Sequence, residues 1–103
     1  MSAPQLTASQ RRELRARAHP LAPLVQVGRG GVTDAFVAEL DRALVAHELV
    51  KIRLRGEREE RAAQLADMMA RLDCVIVGTV GAVAILYREA DENENEDQAE
   101  ERG

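Results

Sequence analysis

The chain has 103 residues, enough for one small domain, and 46% of them are hydrophobic, enough for one core. With one Phe and one Tyr that core must be aliphatic, which argues against a nucleic-acid reader built on rows of aromatic stacking platforms. The net charge of −4 conceals two regions: residues 89–103 hold eight acids and one base, net −7, whereas residues 1–88 are net +3.

Residues 1–5 are expected to be a flexible N-terminus. Thr7, with Gln10 three residues on, reads as a capping box that starts a helix running to about Ala18, where His19-Pro20 stops it. The apolar face of this helix is thin, Leu14 and Ala18 with Leu21 beyond, and Arg11, Arg12 and Arg15 occupy much of the rest. Residues 23–27 (PLVQV) form a short strand candidate that ends at Gly28. Thr33 then caps a second helix with Asp34 in its first turn, and Phe36, Val37, Leu40, Ala43, Leu44 and His47 recur at helical spacing.

Residues 48–55 (ELVKIRLR) alternate: Val50, Ile52 and Leu54 on one side, Lys51, Arg53 and Arg55 on the other. Period two predicts a strand with one apolar and one basic face. Gly56 ends it. A third helix is expected over residues 57–72, with Ala62, Leu65, Ala66, Met69 and Leu72 on its stripe. Residues 74–80 and 83–88 read as two strands joined by a tight turn at Gly81-Ala82. The acidic residues 89–103 are expected to be a disordered tail.

The order α-β-α-β-α-β-β predicts a compact α/β domain over residues 6–88. Its helices pack on a four-stranded mixed sheet, since helix-linked strands favour parallel pairs and the terminal hairpin adds an antiparallel one. Charges along residues 51, 53 and 55 predict two layers with one sheet face partly open and basic.

The loop between the first strand and second helix reads Gly28-Arg29-Gly30-Gly31. Glycines let a ligand approach the backbone, a helix start offers unpaired amides, and arginine supplies a fork of donors for phosphate. No Gly-Lys-Ser/Thr follows, so this is not a P-loop, and Thr33 rather than Gly breaks a dinucleotide fingerprint. G-x-x-G does match the loop that clamps a nucleic-acid backbone in KH-type domains, although a tight strand-to-helix turn would also account for it. Arg11, Arg12 and Arg15 could likewise be a solvated helix face, and Lys51, Arg53 and Arg55 could protect a sheet edge from aggregation.

LTASQRR, AHPLAPLVQVGRGG, HELVKIRL and the closing ILYR, in order across roughly residues 6–88, resemble the CRM domain (chloroplast RNA splicing and ribosome maturation), in particular its stand-alone bacterial YhbY-like members. The resemblance implies an RNA-binding domain whose fold is similar to the C-terminal domain of a bacterial translation initiation factor. It implies a role on precursors of the large ribosomal subunit, with ribosomal RNA and ribosomal proteins as partners. RNA-binding positions carry over onto Gly28, Arg29, Gly30, Gly31, Arg11, Arg12, Arg15, Lys51 and Arg53. Ala82 departs from the pattern, since relatives commonly carry a basic residue in the final hairpin, and so does the acidic tail.

The expected function is therefore non-enzymatic binding of ribosomal RNA during ribosome assembly. The alternative is a protein-interaction module whose acidic tail binds a basic ribosomal protein. His19, His47 and Cys74 lie on different elements and suggest no catalytic constellation. No cofactor, metal or small-molecule substrate is expected. With no apolar signal core, no run of the ~20 apolar residues a membrane span needs and a single cysteine, a cytoplasmic protein without a membrane partner is expected.

Overall fold

Thr7 opens the first helix as its spacing predicts. In the computed structural model, which describes residues 6–89, the Thr7 side chain accepts from the Gln10 amide at 3.0 Å and the Gln10 side chain accepts from the Thr7 amide at 2.9 Å. Helix α1 covers Ala8–Ala18. Strand β1 is short, Val25–Gln26, but the Leu24 and Val27 amides extend its pairing by donating to Lys51 and Arg53 carbonyls, each at 2.9 Å. Thr33 caps α2, Asp34–His47, and β2 follows at Leu49–Arg53. Helix α3 spans Arg58–Arg71 behind a Glu57–Glu60 capping box, and β3 (Val75–Val80) and β4 (Val83–Tyr87) close the domain. The expectations for a flexible residue 1–5 segment and for an acidic tail beyond Glu89 fall outside the described residues.

The strands form one four-stranded sheet in the order β1-β2-β4-β3. β1 runs parallel to β2, and β4 pairs antiparallel with both β2 and β3. The α/β class, the element order and the mixed sheet are thus those read from the sequence.

The layering is finer than two layers. Val50, Ile52 and Leu54 of β2 and its continuation join Ala84 and Leu86 of β4 against Phe36, Leu40 and Leu44 of α2 and Met68 of α3. On the opposite face Leu49, Val77 and Ile85 meet Leu14 and Ala18 of α1. The face that carries Lys51 and Arg53 is therefore partly covered by α1. The cause is Leu49: it has the same parity as Lys51 and Arg53, so one end of that face is apolar and attracts the thin stripe of α1. Burial of Leu40, Leu44, Ile52, Met68 and Leu86 to zero exposure contributes about 1.5–3 kcal/mol each in transfer free energy.

The stripe of α3 also differs from the expected one. Met68 is fully buried, with Leu65, Met69 and Leu72 around it, whereas Ala62 and Ala66 are exposed. A helix orients by its bulkiest apolar side chains, and one methyl each from Ala62 and Ala66 is outweighed by Met68. Between α2 and β2, Glu48 takes φ 62°, ψ −48°, a conformation strained for any residue with a Cβ. It donates its amide to Leu44 at 2.8 Å and accepts from the Arg88 amide at 2.9 Å, so bonds on both sides hold the turn.

Candidate functional site

The parallel pairing of β1 with β2 places the GRGG loop. Gln26 is the partner of Arg53, and Val27 then donates to the Arg53 carbonyl, so Gly28 leaves the sheet beside the end of β2. Arg53 in turn pairs with Val83, and the Leu54 amide donates to Ala82 in the β3–β4 turn. The loop, the basic end of β2 and the hairpin tip therefore share one end of the sheet.

Within the loop, Gly31 donates to the Gly28 carbonyl at 3.0 Å, and Gly31 has φ +76°, which its lack of a Cβ permits. Gly28 has open space where a Cβ would stand and no positive φ, so the turn itself does not require glycine there. Among the described residues the amides of Arg29 and Gly30 meet no hydrogen-bond acceptor, and both residues are exposed. Two such amides beside a guanidinium make an anion-binding arrangement. The start of α2 behind them is already supplied: the Thr33 hydroxyl accepts from the Phe36 amide at 3.0 Å, and Asp34 in the first turn pairs with Arg71. Arg71 also donates to the Val32 carbonyl at 2.7 Å, tying the loop's exit to the end of α3.

The helix arginines divide. Arg11 is half-buried, and its guanidinium donates to the carbonyls of Ile76 and Val77, both at 2.8 Å, where β3 bulges at the sheet edge. It satisfies two carbonyls at the bulge of this edge strand, a structural duty set by residues 65 and 66 positions away. Arg12 is on the solvent side of α1. Arg15 lies over Gly78 of β3: a Cβ on Gly78 would stand 2.8 Å from Arg15 Nε and 3.3 Å from Cζ.

Lys51 is also partly committed. Its ammonium donates to the carbonyls of His19 at 3.2 Å and Leu21 at 3.0 Å, binding the exit of α1 to β2. An ammonium has three donors, so one is left over. Arg53 is exposed, and its guanidinium has no hydrogen bond or ion pair among the described residues.

Arg15, Lys51 and Arg53 rim a hollow of about 520 Å³ beside α1, with Val80, Val83 and Ile85 among its apolar lining and no carboxylate. The three ion pairs of the described residues use Arg71 and Arg88 only, so the rim cations have no acidic partner there. The sequence contained the rim as a period-two pattern but not the hollow, which exists only because α1 covers half of that face and stops.

Elsewhere the described residues offer little reactive chemistry. Cys74 is buried, and desolvation pushes its thiol up to about 11 against the opposing pull of Arg88, so it is a poor nucleophile. Tyr87 is half-buried beside α1, and burial, then Glu48 and Glu89, raise its pKa. No group of three or more His, Cys, Asp or Glu among the described residues could hold a metal ion. No helix among them is long and apolar enough to cross a membrane.

Comparison with known proteins gives this arrangement a family. Residues 6–88 match the model of the CRS1 / YhbY (CRM) domain. The chain is 38% identical over 89 residues to the Bacillus subtilis protein named "Probable RNA-binding protein YqeI", covering 85% of this chain and 93% of that one. It is 33% identical over 88 residues to a Haemophilus influenzae protein named "RNA-binding protein", covering 84% and 89%. The solution structure of SAV1595 from Staphylococcus aureus superposes with a TM-score of 0.74 at 27% identity, over 88% of this chain and 96% of that one. The chain belongs to the CRS1 / YhbY (CRM) domain family.

Proposed function

We propose that this CRM-domain protein is a non-enzymatic RNA-binding protein that grips the RNA backbone at the end of the sheet formed by the GRGG loop and β2. The carrying observation is that the loop and the end of β2 share one end of the sheet, that among the described residues the amides of Arg29 and Gly30 and the guanidinium of Arg53 meet no acceptor, and that the hollow lined by Arg53 contains no carboxylate. A phosphate fits Gly28, Arg29, Gly30 and Gly31 on their exposed side. The capped start of α2 contributes its dipole rather than free amides. Arg12, Arg15, Lys51 and Arg53 attract the neighbouring phosphates. Arg11 acts on RNA mainly by holding α1 against β3.

Names of the relatives support RNA as the partner. The finer reading is that the RNA is ribosomal RNA in precursors of the large subunit, bound in the cytoplasm during ribosome assembly, with ribosomal proteins nearby. The alternative protein-interaction module rests on the acidic tail, residues 89–103, of which all but Glu89 lie outside the described residues. Sedimentation of cell extract with sequencing of crosslinked RNA tests the finer reading. Comigration with large-subunit precursors and crosslinks in large-subunit RNA support it; a protein that stays at the top of the gradient, free of RNA, overturns it.

A further inference from the structure

Gly78 is a glycine that the backbone does not need. Its φ is not positive, and it pairs with Ile85 in the β3–β4 ladder, where a strand would ordinarily carry a side chain to pack. The space its Cβ would take is filled by Arg15, with Nε, Nη2 and Cζ at 2.8, 3.0 and 3.3 Å. Three guanidinium atoms at nearly equal distance place the group along the strand, as one wall of the hollow. On the far side stand Lys51 and Arg53, and the lining between includes Val83 and Ile85. Val80, 73% exposed, stands at the same hollow although it is a large apolar side chain in solvent.

This is not the lining of a site for phosphate alone, which would be polar throughout. A volume of about 520 Å³ falls within the roughly 300–1,000 Å³ of small-molecule sites. A largely aliphatic bed with a guanidinium wall, a cationic rim, and His19 and Thr79 also in its lining suits a planar, hydrogen-bonding ring attached to a phosphodiester. Guanidinium planes and apolar side chains are surfaces on which unpaired RNA bases stack where aromatic rings are few. The chain's poverty in aromatics removes stacking platforms but not this one.

Resting on the RNA-binding reading above, we propose that the hollow between α1 and the β2–β4–β3 end of the sheet accepts an unpaired RNA base, with Gly78 as the positioning residue that keeps Arg15 down on β3. The protein then distinguishes single-stranded or bulged RNA from continuous duplex, whose bases cannot leave the stack without cost. Phosphates are held by the loop and the base by the hollow.

The test compares two probes of equal charge and length, an oligouridine strand and the same strand of abasic ribose-phosphate, titrated by fluorescence anisotropy against the full chain. A base in the hollow makes oligouridine bind about 10-fold tighter than the abasic strand, the scale of one stacked base. Gly78→Ala, which displaces only the flexible end of Arg15, is expected to shrink that ratio to about 2-fold or less, weakening oligouridine more than the abasic strand, which loses only Arg15's share of the phosphate attraction. Arg29→Glu is expected to weaken both probes alike and preserve the ratio. Equal binding of the two probes by wild type overturns the base site and leaves the phosphate grip standing; binding of neither overturns both. If Gly78→Ala fails to fold, the wild-type ratio still decides, and a bound uridine crosslinked outside β2, β3, β4 and α1 overturns the placement.

Discussion

Lys51 separates a structural cation from a ligand-binding one. Its ammonium donates to the carbonyls of His19 and Leu21, just past the end of α1, and this tie seats the helix on β2. Lys51→Met keeps the length of the stem and deletes both bonds. A hydrogen bond to a charged group contributes about 1.5–3 kcal/mol when sheltered, and these two are exposed enough for water to replace part of each. The expected loss is about 1–2 kcal/mol in total, or roughly 4–16 °C in Tm for a domain of this size. Urea denaturation followed by circular dichroism measures it. Arg53→Met is the control: it sits two residues along the same strand without such bonds and is expected to change stability by less than about 0.5 kcal/mol. Equal stability of Lys51→Met and wild type, or an equal loss in Arg53→Met, would refute the assignment of Lys51 to the α1–β2 tie.

Three other outcomes follow from the fold. Glu48→Gly relieves the strained φ of 62° at the end of α2 and is expected to raise stability by about 1 kcal/mol in the same denaturation assay. Met68→Ala empties a fully buried site on α3 and is expected to cost about 2–5 kcal/mol, whereas Met69→Ala, half-buried beside it, costs clearly less. Cys74 sets a pH dependence: its thiol ionises near pH 9.0 when exposed and near 11 when buried. The folded chain thus holds the proton longer, so the contribution is complete below pH 9.0 and falls as pH climbs towards 11, by an amount on the order of 2–3 kcal/mol. Denaturation curves between those pH values are expected to converge for wild type and Cys74→Ala as the pH rises; a constant difference contradicts the linkage.

What the sequence revealed was local. The Thr7–Gln10 box, the Thr33 cap and the alternation through Val50, Ile52 and Leu54 depend on neighbours two to four residues away, and each appears in the structure. What it concealed was set by distant partners. Arg11 meets carbonyls 65 and 66 residues on, and Arg15 meets Gly78. In the sequence these two arginines and Arg12 are equivalent; the fold commits one to a bulge, lays one on a strand and leaves one in solvent. The α3 stripe was ambiguous because Met68 and Met69 are adjacent, and only the packing of α2 and the sheet selects Met68. The loop's glycines were legible as a group, but not that Gly31 serves the turn while Gly28 does not.

The most direct test of the account is the affinity for a structured RNA measured across a salt series, wild type beside Arg29→Glu. Five cations, Arg12, Arg15, Arg29, Lys51 and Arg53, border the proposed path, which predicts a slope of log affinity against log salt of roughly −3 to −4. Arg29→Glu is expected to lower the affinity at low salt at least ~10-fold and flatten the slope by about one, with an unchanged melting curve. A wild-type affinity indifferent to salt, or an Arg29→Glu variant that binds RNA as wild type does, would contradict the claim that the GRGG loop grips the RNA backbone.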